Sequence, residues 1–165
     1  MRIELIQPFI NATDAVLSEM LHGPAGVSRV VMEDEAYRRK GVAASVAFHG
    51  DIEGRVIFDV ESDTARRVAS ALGQEAAGPL DQVAGETICE LANMVVGNAV
   101  TLLNDRGHRF KVVPPALHAS DKGYASGCES EAVVMCFQTP SGPIYLNVAL
   151  DYSPQHSSFL AEKTI

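Results

Sequence analysis

The run from Asp81 to Asn104 constrains this chain most, because it is apolar on nearly every side of a helix and yet keeps one narrow polar stripe. Leu80, Val83, Ala84, Ile88, Leu91, Ala92, Val95, Val96, Ala99, Leu102 and Leu103 supply the apolar surface. Glu86, Glu90, Asn93, Gly97 and Asn104 recur at steps of four, three, four and seven. At about 100° per residue these positions fall along one line of the helix. Such a helix must be covered by other elements on most sides and leave the stripe at a surface. The run carries no Lys or Arg to decorate a solvated face. Glu86 and Glu90 are like charges at i,i+4, which destabilises slightly. A carboxylate in such a stripe can grip a cation, an amide can orient a water, and a glycine lets a second molecule approach closely. The plain alternative is a solvent face without further purpose.

The chain has 165 residues and a net charge of −8, from 13 Lys+Arg against 21 Asp+Glu. That length predicts a single domain, here 1–151, followed by a loosely held tail over 152–165. A chain of this size buries roughly 70% of its unfolded surface and needs no staples. The acidic balance argues against nucleic acid and anionic membranes as partners. The one basic cluster, Arg38-Arg39-Lys40, reads as a solvated turn. Cys89, Cys128 and Cys136 are odd in number and match no metal spacing, which fits a reducing cytoplasm. His22, His49, His108, His118 and His156 are scattered without ligand spacing, so no metal site is expected. No Ser or Cys has a convincing base partner, and no glycine-rich phosphate loop follows a strand. The N-terminus has charge inside its apolar stretch and is not expected to be a signal peptide. No run is long enough to span a bilayer.

Phe9, Ile10, Ala12, Val16, Leu17, Met20 and Leu21 predict an amphipathic helix, with Pro8 in its first turn and Gly23-Pro24 as its stop. Val27–Met32 reads as a strand. Val42–Phe48 and Arg55–Val60 read as a hairpin around a loop with Gly50 and Gly54 at its ends. Ser62 or Asp63 is the expected N-cap of a helix over Thr64–Leu72, stopped by Gly73. Gln74–Pro79 is a linker ahead of the long helix. Phe110–Val113, cut by Pro114-Pro115, and Leu117–Ser120 read as short strands. Asp121–Ser130 is a polar, glycine-rich loop. Ala132–Gln138 and Ile144–Leu150 form a second hairpin. Helices and strands in blocks predict an α+β fold with a mostly antiparallel sheet. An exposed edge strand must be covered or paired, and Ile144–Leu150 is the expected candidate for pairing across a two-fold axis.

Several blocks, in order, resemble the CheC/CheX/FliY family of response-regulator phosphatases, and within it the CheX-like members. They are Gln7-Pro-Phe-Ile-Asn-Ala-Thr13, the hairpin Phe48-His-Gly-Asp-Ile-Glu-Gly-Arg-Val-Ile57, the helix segment Glu90-Leu-Ala-Asn93-Met-Val-Val-Gly97, and Phe110-Lys-Val-Val-Pro-Pro115. The resemblance spans about Glu4 to Leu150. It implies a twisted antiparallel sheet with two long helices packed against it. It also implies hydrolysis of the aspartyl phosphate on a phosphorylated CheY-like receiver. By the same resemblance Asn93 is the catalytic amide and Glu90 the docking carboxylate. Glu86, Gly97 and Pro115 then border the partner. Glu86 stands where related members often carry Ser or Asp. The chain itself would bind no cofactor, Mg²⁺ being supplied by the receiver, and the protein would be a homodimer joined through sheet edges. The competing reading is a non-enzymatic dimeric module that binds a receiver or a flagellar switch. A small-molecule enzyme built on Glu86 and Glu90 is disfavoured, because i,i+4 side chains point the same way and cannot flank a substrate.

Overall fold

A computed structural model describes residues 3–33, 41–73, 80–118 and 132–154. The basic run at 38–40, the linker at 74–79, the loop at 121–130 and the tail from 155 lie outside the described residues. The elements are α1 (Ile3–Met20), β1 (Gly26–Glu33), β2 (Val42–Gly50), β3 (Ile52–Val60), α2 (Ser62–Ala71), α3 (Leu80–Asp105), β4 (Phe110–Val112), β5 (Ala116–His118), β6 (Ala132–Thr139) and β7 (Gly142–Tyr152). The strands form one seven-stranded sheet in the order β1-β6-β7-β3-β2-β4, with β5 beside β4 along the same side of β2. Every pairing is antiparallel. This is the expected α+β architecture.

Strand alternation sorts the sheet residues between two faces. Val46, Phe48, Val56, Phe58, Met135, Phe137, Leu146 and Val148 point into a core shared with Leu5, Phe9, Val16, Ile88, Leu91 and Val95 of the helices. Phe9 meets Phe48 edge-on, with ring centroids 5.8 Å apart. α1 and α3 pack against each other on this face, and α2 also packs on α3. The opposite face is also buried and is partly polar. There Arg55 Nη1 donates to Asn147 Oδ1 at 2.8 Å, and both side chains are buried.

Four local expectations need correction. Ile144–Leu150 is not an edge: β7 pairs β3 on one side and β6 on the other. Its residues are buried on both faces, Leu146 and Val148 on one, Asn147 and Ala149 on the other, which suits an interior strand. The edges are β1 on one side and the short strands β4 and β5 on the other. The Gly50–Gly54 segment is not a loop, because β2 runs to Gly50 and β3 starts at Ile52, leaving Asp51 at the turn. The N-cap of α2 is Glu61, without a side-chain cap bond. Finally, α1 starts earlier than Pro8 and passes through it. A proline there removes the N–H that would bond the Glu4 carbonyl. The Arg106 guanidinium, just past α3, donates to that carbonyl at 2.9 Å and replaces the missing bond.

Candidate functional site

The apolar side of α3 is buried as its periodicity requires. Ala84, Ile88, Leu91, Ala92, Val95, Val96, Ala99 and Leu103 are each 5% exposed or less. Glu86, Glu90, Asn93, Gly97 and Asn104 are all exposed. The polar stripe therefore lies along the outer surface of a helix whose opposite side is packed into the core, which holds its side chains on a stiff base.

Neighbouring groups are held in different ways. Gln82 Nε2 donates to Glu86 Oε1 at 3.2 Å, so the Glu86 carboxylate is drawn one turn back along the helix. Glu90 and Asn93 have no side-chain hydrogen bond or ion pair among the described residues. Thr101 Oγ1 caps the Gly97 carbonyl at 3.0 Å. A Cβ built on Gly97 would meet nothing within 4 Å, so no contact inside the chain requires glycine there. In a helix interior glycine is about 1 kcal/mol worse than alanine. An exposed, bare turn thus follows Asn93 directly. Cys89, half-buried behind the stripe, packs against the core. Burial, and then the charge of Glu86, push its thiol up, which keeps it protonated and unreactive.

Pro115 stands apart from these groups, in the connector between β4 and β5, and is half-buried. Two residues on, Leu117 lies against α3 so closely that a Cβ on Gly85 would come within 2.7 Å of its Cδ2. The connector thus flanks the part of α3 that carries Glu86. The structure brings Glu86, Glu90, Asn93 and Gly97 onto one face and keeps Pro115 on the adjoining strand edge.

Sequence reasoning missed several exposed apolar groups on α3 and β5. Leu102 was counted with the apolar surface of the helix, yet it is 42% exposed; Met94 is 36% and Leu117 41% exposed. The signal for Met94 was available: it sits one position beyond Asn93, on the shoulder of the stripe. Leu102 lies on the core side by period, about 160° round the helix from Glu86, and is exposed where α3 nears its end at Asp105.

Among the described residues no three His, Cys, Asp or Glu come together as a metal cluster, and no helix is long and apolar enough to cross a membrane. The arrangement is a carboxylate and an amide one turn apart, exposed on one face of α3 and without side-chain partners among the described residues. Side chains that project the same way from one helix cannot flank a small substrate. The arrangement suits a protein partner that brings the reacting group with it.

Comparison with known proteins identifies the family. The curated CheY-P phosphatase CheX of Thermotoga maritima is 34% identical over 73 residues, which is 44% of this chain and 47% of that protein. The match thus spans about half the length of this relative. The crystal structure of a CheX from Desulfovibrio desulfuricans superimposes with a TM-score of 0.77 at 21% identity, over 91% of this chain and 99% of the other. CheX in a CheX–CheY–BeF3–Mg²⁺ complex from Borrelia burgdorferi superimposes with a TM-score of 0.67 at 31% identity, over 90% and 99%. The family model for chemotaxis phosphatase CheX matches residues 42–139, more than half of the chain, and the protein belongs to that family.

Proposed function

We propose that this protein hydrolyses the aspartyl phosphate of a CheY-like receiver in the cytoplasm, with Asn93 orienting the attacking water and Glu90 docking the receiver's lysine. The observation that supports this best is the pair itself: Glu90 and Asn93 stand exposed and unpartnered, among the described residues, on one face of a helix whose opposite side is packed into the core. An acyl phosphate is already activated, so catalysis needs positioning and charge neutralisation more than a strong base. Water attacks phosphorus in line with the acyl P–O bond. That bond breaks, inorganic phosphate leaves, and the receiver's aspartate carboxylate is restored. The Asn93 side-chain oxygen accepts a hydrogen bond from the water and holds it in line, which lowers the entropy cost of attack. Glu90, one turn earlier, pairs with the receiver's lysine and sets the register of docking. Mg²⁺ is expected to arrive with the receiver. Glu86, Gly97 and Pro115 border the docked partner. Gln82 holds the Glu86 charge back along the helix, which eases its repulsion of the phosphoryl group.

The test is loss of phosphate from a phosphorylated CheY-type receiver with Mg²⁺, with wild-type protein and with Asn93→Ala. Faster decay with the wild type alone supports the assignment. Receiver binding without accelerated decay supports the rival, a non-enzymatic receiver- or flagellar-switch-binding module.

The homodimer expected through sheet edges is assigned in the same proposal to β1. That edge is eight residues long and exposes Val27 and Val30. Each strand of the opposite edge has only three residues. Sedimentation velocity should give a dimer for the wild type and a monomer for Val27→Lys/Val30→Lys, because lysines blunt an edge. A wild-type monomer would remove this part of the reading.

A further inference from the structure

The last turn of α3 leads into β4, at the far end of the helix from its start. Asp105 lies about 18 Å along the axis from Asn93, at a rise of about 1.5 Å per residue. β4 pairs with the end of β2 in the register Phe48↔Val112, His49↔Lys111 and Gly50↔Phe110. Phe48 and Phe110 face the core side, with ring centroids 5.8 Å apart. His49 and Lys111 therefore face the other side, and Arg109, two residues before Lys111, shares it. His49, Gly50, Arg109, Phe110 and Lys111 line an open cavity of about 490 Å³.

Three basic side chains around one cavity are out of character for a chain of net charge −8. Four other arginines are engaged: Arg55 with Asn147, Arg66 with Asp63, Arg67 with the Ser141 carbonyl, and Arg106 with the Glu4 carbonyl; Arg29, on the distant edge strand β1, is not, among the described residues. The side chains of Arg109 and Lys111 meet no acceptor among the described residues. The nearby Asp51 carboxylate accepts the Arg109 backbone N–H at 2.8 Å. His49 stands directly opposite Lys111, and like charges in that position destabilise an antiparallel pair whenever the imidazole is protonated.

The backbone beside the cavity also lacks a partner strand on its outer side among the described residues. Val113 N–H donates to the Ala47 carbonyl and Asp51 N–H to the Arg109 carbonyl, each at 2.9 Å. Antiparallel alternation then turns the N–H and C=O groups of Phe110 and Val112 away from β2, along the outer side of an edge strand. An extended chain laid on that side would gain ladder hydrogen bonds, and alternate side chains would reach Arg109 and Lys111. A second copy is a poor occupant, because β4 against β4 would set these cations against themselves. A compact phosphate is a poor one too. The helix end nearby is a C-terminus, whose dipole repels anions, rather than an N-terminus.

We propose that the His49–Arg109–Lys111 groove takes an acidic, extended segment of a partner protein, added as a strand to β4 at a site separate from the Glu90/Asn93 face. The proposal goes beyond receiver dephosphorylation and is tested by binding alone. The probe is a fluorescein-labelled peptide, Gly-Glu-Val-Glu-Thr-Glu-Val-Glu-Gly, followed by anisotropy at about 20 mM salt, where charge attraction is little screened. The same peptide with lysine for glutamate is the control. Arg109→Glu/Lys111→Glu should weaken binding at least about tenfold, as expected for reversal of a complementary patch. Val112→Pro, which removes an outward N–H and leaves the cations in place, should weaken it about threefold, a loss of one edge hydrogen bond. Asn93→Ala should bind as the wild type does, so failure of this proposal and failure of the phosphatase reading are distinct. Equal binding by wild type and the charge-reversed variant overturns the proposal, as does equal binding of the lysine peptide. Displacement by tripolyphosphate with Val112→Pro unaffected would also overturn it, in favour of a compact-anion site.

Discussion

The two long helices lie against each other on one face of the sheet, and their outer surfaces differ in how polar groups are satisfied. On α1 several of those groups are occupied within the protein, with Glu19 near its end an exception among the described residues. Gln7 Nε2 donates to Asn11 Oδ1 at 2.9 Å, and Tyr152 Oη donates to Glu4 Oε1 at 3.3 Å. Ser18 Oγ accepts the Ala25 N–H at 3.3 Å. On α3 the comparable bonds stop short of the middle. Gln82 holds Glu86 on one side and Thr101 caps the Gly97 carbonyl on the other, while Glu90 and Asn93 between them are unpartnered among the described residues. A surface that only meets water commonly ties its polar side chains to near neighbours, since i,i+4 pairs stabilise a helix slightly. Leaving a carboxylate and an amide untied, beside a glycine that has no packing reason, forgoes that stabilisation. The difference supports the proposal that the α3 face, rather than that of α1, meets a partner.

The sharpest way to break this comparison is to make the same change on both helices. Asn93→Ala should slow receiver dephosphorylation by about 100-fold or more, the scale of a lost positioning group. Asn11→Ala should leave the rate within about twofold, because its amide acts only locally. Phosphate release assays on both variants decide it, and equal effects would erase the distinction. Glu90→Gln should raise the KM for the phosphorylated receiver about tenfold, as for loss of one interfacial charge pair. It should leave the circular dichroism spectrum unchanged. Gly97→Ala should move two observables in opposite directions. Urea denaturation should show about 1 kcal/mol more stability, while receiver affinity falls as the methyl group fills the bare turn. Gains in both would mean that the open backbone serves no partner. The smallest effect expected is on α1 itself. Arg106→Ala should cost about 0.5–1 kcal/mol by freeing the Glu4 carbonyl. Pro8→Ala restores the N–H for that carbonyl, so the same arginine change should cost less in its background. A double-mutant cycle reads the coupling.

Much of the site was legible before any tertiary information. The stripe of Glu86, Glu90, Asn93 and Gly97 follows from helical periodicity, which is a local property of consecutive residues. The hairpins β2–β3 and β6–β7 were legible for a similar reason: each joins neighbours in the chain through a short turn. The order of those hairpins in the sheet was not. β3 pairs with β7 and β1 with β6 across long stretches of sequence, so Ile144–Leu150 looked like a free edge and proved to be interior. Pro8 was misplaced because the donor that makes it tolerable, Arg106, is remote in sequence. Leu102 was misread because its period places it on the core side, whereas it is exposed near the end of α3.

The sequence by itself determined the α+β class, the long packed helix and the polar line along it, because period and composition act within a few residues. The tertiary structure alone decided which strands are edges, which side chains are left without partners, and that His49, Arg109 and Lys111 share a cavity. Those outcomes depend on strand register and on contacts between distant segments. Burial of the whole core selects these, and no local propensity encodes them.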